Sequence, residues 1–357
     1  ADITDRNGML LATSLPTAAL YAHPQHIPDF DEAVRKLTKA IPSINSSKLQ
    51  RLFSSDQKFV WLHRNLTPNM QFAVNALGIP GLDFRRAERR VYPHGPLVSH
   101  VLGMTDIDGK GLSGVEGYFD SQLRGQRKAL QLSLDIRIQA LVRAELIAAI
   151  EEFSAIGAAG IVLDVNTGEV ISIVSLPDFN PNKPITAAGI AGFSRTTKGV
   201  YEMGSTFKLF TAAMALDTGR VRLSDRYDAT KPIKISRFTI SDYHAKNKWL
   251  SVPEIIVHSS NIGAAKMAVD VGTPTQKHYL KQFGLLSPTE IELIEVGAPL
   301  TPDSWREINT MTISYGHGIA VSPLQLASGI GALVNGGILY DATLLKSPKN
   351  QKPTGVR

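Results

Sequence analysis

The sequence predicts an α+β fold, an antiparallel sheet with helices grouped around it, and three observations carry that prediction. Two β-branched runs, from Ala158 to Val165 and from Glu169 to Val174, flank a short turn at Asn166-Thr167-Gly168, which is the pattern of a β-hairpin. Just before it, Ile138, Leu141, Val142, Leu146, Ala149, Ile150 and Phe153 recur at helical spacing and predict an amphipathic helix over about 135–153. After it, Gly204-Ser205 opens an apolar run through Leu216 that reads as a buried helix. Further helices are expected near 253–270 and 323–335; Pro323 starts the second, where its missing N–H costs nothing.

Residues 1–128 have a different texture. Phe59 to Arg64 looks like a short strand, and Asp31 to Leu37 like a polar helix. The change falls near Leu123 to Lys128, so two domains are expected, 1–128 and 129–357, a division suited to a chain of 357 residues. A literal G-x-G-x-x-G at Gly109 to Gly114 follows Asp106 and Asp108 rather than a buried strand, so it lacks the βαβ setting of a dinucleotide site.

Composition is that of a globular protein, 43% apolar and 20% charged. No apolar stretch is long enough to span a bilayer and no leader is legible, so an export signal or anchor, if the native protein has one, is expected to be absent from this chain. The chain has no cysteine, which excludes disulfides, thiol nucleophiles and thiolate metal sites. The net charge of +6 suits an anionic neighbour such as a membrane surface or an acidic polymer, or simply solubility. Lys and Arg are spread along the chain and no nucleic-acid module is legible, so no nucleic-acid partner is expected. No cofactor or metal is expected either.

The chemistry begins at Ser205-Thr206-Phe207-Lys208. Residues three apart share a helix face, so the Lys208 ammonium can reach the Ser205 hydroxyl. Burial would lower the lysine pKa and make it a usable base for a serine nucleophile. A chain this long holds about one Ser-x-x-Lys by chance. Ser55-Asp56-Gln57-Lys58 is such a copy, in a polar stretch with no apolar helix behind it. A second element, Ser259-Ser260-Asn261, follows in the same predicted domain. Ser259 could relay a proton to a leaving amine, and Asn261 could hold a substrate carbonyl or fix the lysine. The competing reading is a helix N-cap or a turn. Ser43-Ile44-Asn45 is another Ser-x-Asn by chance. His258 and His317 flank the motifs, but no acid is expected to orient either.

Ser205-x-x-Lys208 followed by Ser259-x-Asn261 resembles the serine acyltransferases of the penicillin-binding protein and β-lactamase superfamily. Tyr201 to Lys208 is similar to the nucleophile segment of class B penicillin-binding proteins, with Met203 where proline is usual. Asp164 to Val170 resembles that family's first hairpin, Asp178 to Asn182 the segment after it and Ser314 to Ala327 a later hallmark, and Asp5 to Gly8, Arg89 to Pro93 and Gly111 to Glu116 resemble its non-catalytic pedestal. Serine in the middle of Ser259-Ser260-Asn261 is similar to the division-type enzymes.

The resemblance implies an elongated N-terminal pedestal (1–128) and a transpeptidase domain (129–357). It also implies a D,D-transpeptidase that cross-links peptidoglycan stem peptides at the septum. Ser205 would attack the D-Ala-D-Ala carbonyl, Lys208 would be its base, Ser259 would shuttle protons, Asn261 would hold the substrate amide and Ser260 would line the substrate. β-Lactams would acylate Ser205. The implied partners are stem peptides, lipid-linked precursor strands, β-lactam antibiotics and division-complex membrane proteins including a glycosyltransferase. The implied place is the periplasmic face of the bacterial inner membrane, with a single N-terminal anchor outside this chain. Arg6, Arg89, Arg90 and Glu116 are expected to lock the domains together.

One departure matters. The family's third motif, Lys-Thr-Gly on the edge strand, is mimicked only by Lys352-Pro353-Thr354-Gly355. Relatives also carry longer loops around Arg127-Lys128 and Ile190 to Ser194. The motif's strand supplies an oxyanion-hole donor, worth about 10²–10³ in rate. A chain ending at Arg357 is therefore expected to be nearly inert. The alternative reading is a catalytically incomplete β-lactam-binding or divisome scaffold protein of the same fold; a β-lactamase-like hydrolase would require a deacylating glutamate and gives no reason for the pedestal.

Overall fold

The computed structural model describes residues 1–125, 128–235 and 238–346, and over them the chain is α+β. Lys352-Pro353-Thr354-Gly355 lies outside the described residues. The N-terminal part is built on one sheet of β1 (Ile3–Thr4), β2 (Leu10–Ala22), β3 (Val60–Leu66), β4 (Leu82–Val91) and β5 (Leu130–Gln131). The long β2 pairs with β1 at its start, with β4 from Thr13 to Ala22 and with β3 near its end, all antiparallel. The helices Phe30–Ala40 and Ser46–Phe53 close a core over it, where Leu37, Leu49 and Phe53 pack with Leu20, Leu62 and Leu66. Asp29 and Asn45 start these helices by accepting from the N–H groups of Glu32 and Lys48. The expected strand and polar helix of this region are thus present.

The C-terminal part opens with the helix Ile136–Phe153, followed by the antiparallel hairpin of β6 (Ala158–Leu163) and β7 (Val170–Leu176). Gly168 closes its turn at φ 75, a conformation glycine adopts without strain. The helix sits down on the hairpin at Gly160, where a Cβ would fall 2.8 Å from Val142 and 2.9 Å from Leu146. The expected apolar face needs a correction: Leu141 and Phe153 are 58% and 72% exposed. The hairpin covers only one stripe of the helix, and Phe153 lies in its last turn, before Ser154 leaves in the left-handed region.

The helix Pro323–Val334 forms as expected, opened by a capping box between Ser322 and Gln325. The helix expected over 253–270 is instead two, Val252–Val257 and Asn261–Val271. Ser259, at φ 53, breaks it.

A shared core joins the two parts: Ile3, Leu11, Val98 and Leu102 pack with Val170, Ile173, Leu324 and Leu344. Strand β5, just past residue 128, still pairs in parallel with β1. Polar contacts lace the same seam. Asp5 accepts from the Ile136 N–H at 3.3 Å, and Arg6 pairs with the buried Glu169 at 3.1 Å. Asn182 accepts from the Tyr92 N–H at 3.0 Å and donates to its carbonyl at 2.9 Å. Both Glu295 oxygens accept from the Gly114 N–H, at 3.1 and 3.2 Å.

Of the four residues expected to lock the domains, Arg6 is the one that crosses among the described residues. Arg90 instead pairs with Glu116 at 2.6 Å inside the N-terminal part, because β4 faces the short helix Gly114–Tyr118 there. Arg89 is on the exposed side of β4.

Candidate active site

Ser205 lies in a single 3-10 turn, Gly204–Thr206, which runs straight into the helix Phe207–Asp217. Phe207, Phe210 and Met214 bury that helix among Ile255, Ile262, Met267 and Ile313. The nucleophile candidate is exposed while Lys208, one turn on, is 2% exposed. Lys208 Nζ donates to Ser205 Oγ at 2.8 Å, to Ser259 Oγ at 2.9 Å and to the Ser259 carbonyl at 3.0 Å. Ser259 Oγ in turn donates to Ser205 Oγ at 2.9 Å. Three polar groups thus close a triangle, and all three ammonium protons have acceptors. Burial pulls the Lys208 pKa down to about 8, opposed by the negative charge of Asp242. Roughly a tenth of such lysines are neutral, and so basic, at pH 7.

The second motif works through the break in its helix. Ser251 and Glu254 form a capping box that starts the first helix, and His258 ends it. Ser259 then turns left-handed, and Ser260 restarts the chain as the N-cap of Asn261–Val271, accepting from the Gly263 N–H at 3.0 Å. The helix-cap reading therefore holds for Ser260, while Ser259 faces the lysine. Ser260, expected to line the substrate, is 1% exposed and also donates to Asp242 Oδ2 at 2.7 Å. That placement is a correction: its hydroxyl is fully committed to the fold. Asn261 is half-buried and its Nδ2 donates to the Ser241 carbonyl at 3.0 Å.

Sequence reasoning missed Asp242 and Glu202. Asp242 holds Ser260 Oγ with one oxygen and accepts from the Ile262 N–H with the other, at 2.9 Å. It lies far from the motif in sequence, in a loop with no pattern of its own. Glu202 corrects the expectation that no acid orients His317: its Oε2 meets His317 Nδ1 at 2.8 Å and its Oε1 accepts from the Gly318 N–H at 2.7 Å. Glu202 was in view beside Ser205; only the fold brings the histidine to it. The chance copies stay elsewhere: Ser55 donates to the Leu52 carbonyl in a turn, and Ser43 meets His63. A cleft of about 620 Å³ lies in the N-terminal part beside Trp61, Arg64 and Arg86, whereas Ser205 sits on the exposed surface.

A serine and a buried lysine on one helical turn, with a second serine bonded to both, form an arrangement in which a lysine can activate a serine hydroxyl. Residues 158–356 match the penicillin binding protein transpeptidase domain, and residues 1–140 match the penicillin-binding protein dimerisation domain. The chain belongs to the penicillin-binding protein transpeptidase family, with the two-domain arrangement of its class B members. It is 41% identical over 360 residues to the probable peptidoglycan D,D-transpeptidase FtsI of Caulobacter vibrioides, covering 100% of this chain and 61% of the relative. It is 32% identical over 378 residues to the peptidoglycan D,D-transpeptidase FtsI of Escherichia coli strain K12, covering 96% of this chain and 64% of the relative. A probable peptidoglycan D,D-transpeptidase PenA of Neisseria meningitidis serogroup A is 31% identical over 376 residues, again 96% and 64%. The chain thus spans less than two thirds of the length of these relatives.

Proposed function

We propose that this protein is a peptidoglycan D,D-transpeptidase of cell division that works through a serine acyl-enzyme. The observation that carries the reading is the triangle of Ser205 Oγ, Lys208 Nζ and Ser259 Oγ, each within 2.9 Å of the other two. Neutral Lys208 takes the Ser205 proton as Ser205 Oγ attacks the carbonyl between the two terminal D-alanines of a stem peptide. Ser259, bonded to both groups, passes that proton to the departing amine, so D-alanine leaves neutral and the stem is held as an ester on Ser205. The amine of a neighbouring stem then attacks the ester. Its proton returns through Ser259 and Lys208 to Ser205 Oγ, which restores the enzyme and closes the cross-link. Asn261 holds the substrate amide at the edge of the site. β-Lactams acylate Ser205 in the same way.

In this reading the stem peptides are the substrates, the division complex is the setting and the periplasmic face of the inner membrane is the place. Residues 1–128 serve as the pedestal and residues 129–357 as the catalytic domain. The test is transfer: a D-Ala-D-Ala stem pentapeptide and an acceptor stem incubated with the full-length protein should yield free D-alanine and a cross-linked dimer. Ser205→Ala should abolish both. Binding of the pentapeptide with no D-alanine released by the wild type would support the scaffold reading instead.

A further inference from the structure

The loop from Ser314 to Gly318 does not take part in the chemistry just described, yet the nucleophile turn rests on it. Gly316 lies so close to Gly204 that a Cβ would fall 2.2 Å from the Gly204 carbonyl oxygen, and the Gly204 N–H donates to the Gly316 carbonyl at 3.3 Å. The loop is held in an unusual shape, with Gly316 at φ 75 and Gly318 at φ 81 on either side of His317. Its first half is tied to the end of the helix Glu307–Ile313 by the N–H groups of Tyr315, Gly316 and His317. Thr211 ties it to the nucleophile's helix, donating to the Ser314 carbonyl at 2.9 Å. Its apex is gripped by one side chain, that of Glu202, which takes the Gly318 N–H on one oxygen and His317 Nδ1 on the other.

We infer that Glu202 is a positioning residue for Ser205, acting through His317 and Gly318 to hold the loop on which the Gly204–Ser205 turn is seated. The inference rests on the reading of Ser205 as the acylated nucleophile. Glu202 and His317 are only two and one residues from the two backbones that touch, Glu202 preceding Gly204 by two and His317 following Gly316. Letting the apex move removes the floor beneath Gly204, and displacing a reacting atom by about 1 Å costs about 10²-fold in rate. Neither side chain is part of the core: Glu202 is 47% and His317 65% exposed. A loss of function on changing them is therefore separable from unfolding. The histidine is used through Nδ1, so its substitutes can be ranked. Asparagine can present an N–H donor near the place of Nδ1, whereas phenylalanine presents none.

The experiment is stopped-flow acylation of the full-length protein by a fluorescent penicillin, which separates the initial binding constant from the acylation rate constant. Melting temperature is followed alongside, and the adduct is mapped by peptide mass spectrometry. Glu202→Ala and His317→Phe should lower the acylation rate constant about tenfold or more, with the binding constant and melting temperature little changed. His317→Asn should stay within about threefold of wild type if the Nδ1 bond is what matters. Wild-type rates in both Glu202→Ala and His317→Phe, or an asparagine variant as slow as the phenylalanine one, would overturn the inference. A fall in melting temperature matching the fall in rate would also overturn it, since the role would then be structural. A wild type that takes no adduct on Ser205 would instead overturn the reading beneath it, and the inference with it.

Discussion

In the proposed mechanism Lys208 sets the pH range in which the site can work. Its amine acts as a base only when neutral, and burial brings its pKa to about 8. Acylation of Ser205 should therefore rise with pH between 6 and 9 with a midpoint near 8, and Lys208→Ala should lower it by about 10²–10⁴. Asp242 pushes the same pKa upward, because its negative charge favours the ammonium. Asp242→Asn should thus shift the midpoint to lower pH, and it should also slow acylation, because an amide cannot accept both from Ile262 and from Ser260 as the carboxylate does. Stability carries the opposite constraint. The folded pKa lies below the unfolded value of 10.5, so the unfolded chain binds more protons between the two. Stability should rise from pH 8 to about 10.5, a slope that Lys208→Met should flatten in denaturant titrations.

Elements place these residues, and here the sequence was partly legible. The helix Phe207–Asp217, the hairpin and the helix Pro323–Val334 follow from apolar spacing, turn glycines and a proline start, all local signals. The break between Val252–Val257 and Asn261–Val271 does not, because helix spacing continues through it. What breaks it is a left-handed serine and a cap, held by an aspartate from another loop. The same limit hid Glu202 and His317, whose pairing needs the fold. Helix packing gives a test of the hairpin. Gly160→Val would push side-chain atoms against Val142 and Leu146 and should cost about 1–3 kcal/mol, read as a lower melting temperature with Ser205 labelling retained at low temperature.

At the scale of the whole molecule, the resemblance to a pedestal marked the right segments but not their contacts. Arg90 and Glu116 pair with each other within the N-terminal part, and among the described residues the seam includes Arg6–Glu169, Asn182–Tyr92, Glu295–Gly114 and a shared apolar core. None of those pairings is local in sequence, so no spacing could have given them. Arg6→Ala combined with Asn182→Ala should raise hydrogen exchange around residues 5–9 and 180–184, while the helix Phe207–Asp217 stays protected. Loss of protection throughout would mean that the two parts fold only as one unit. Among the described residues no helix is long and apolar enough to cross a membrane.

The central claim is that Ser205, activated by Lys208, is the residue that becomes acylated. The direct measurement is peptide mass spectrometry of the full-length protein after exposure to penicillin at pH 8. One penicilloyl group is expected, on the peptide holding Ser205, absent in Ser205→Ala and greatly reduced in Lys208→Ala. An adduct on Ser55, Ser259 or any other residue, or one undiminished in Ser205→Ala, would contradict it.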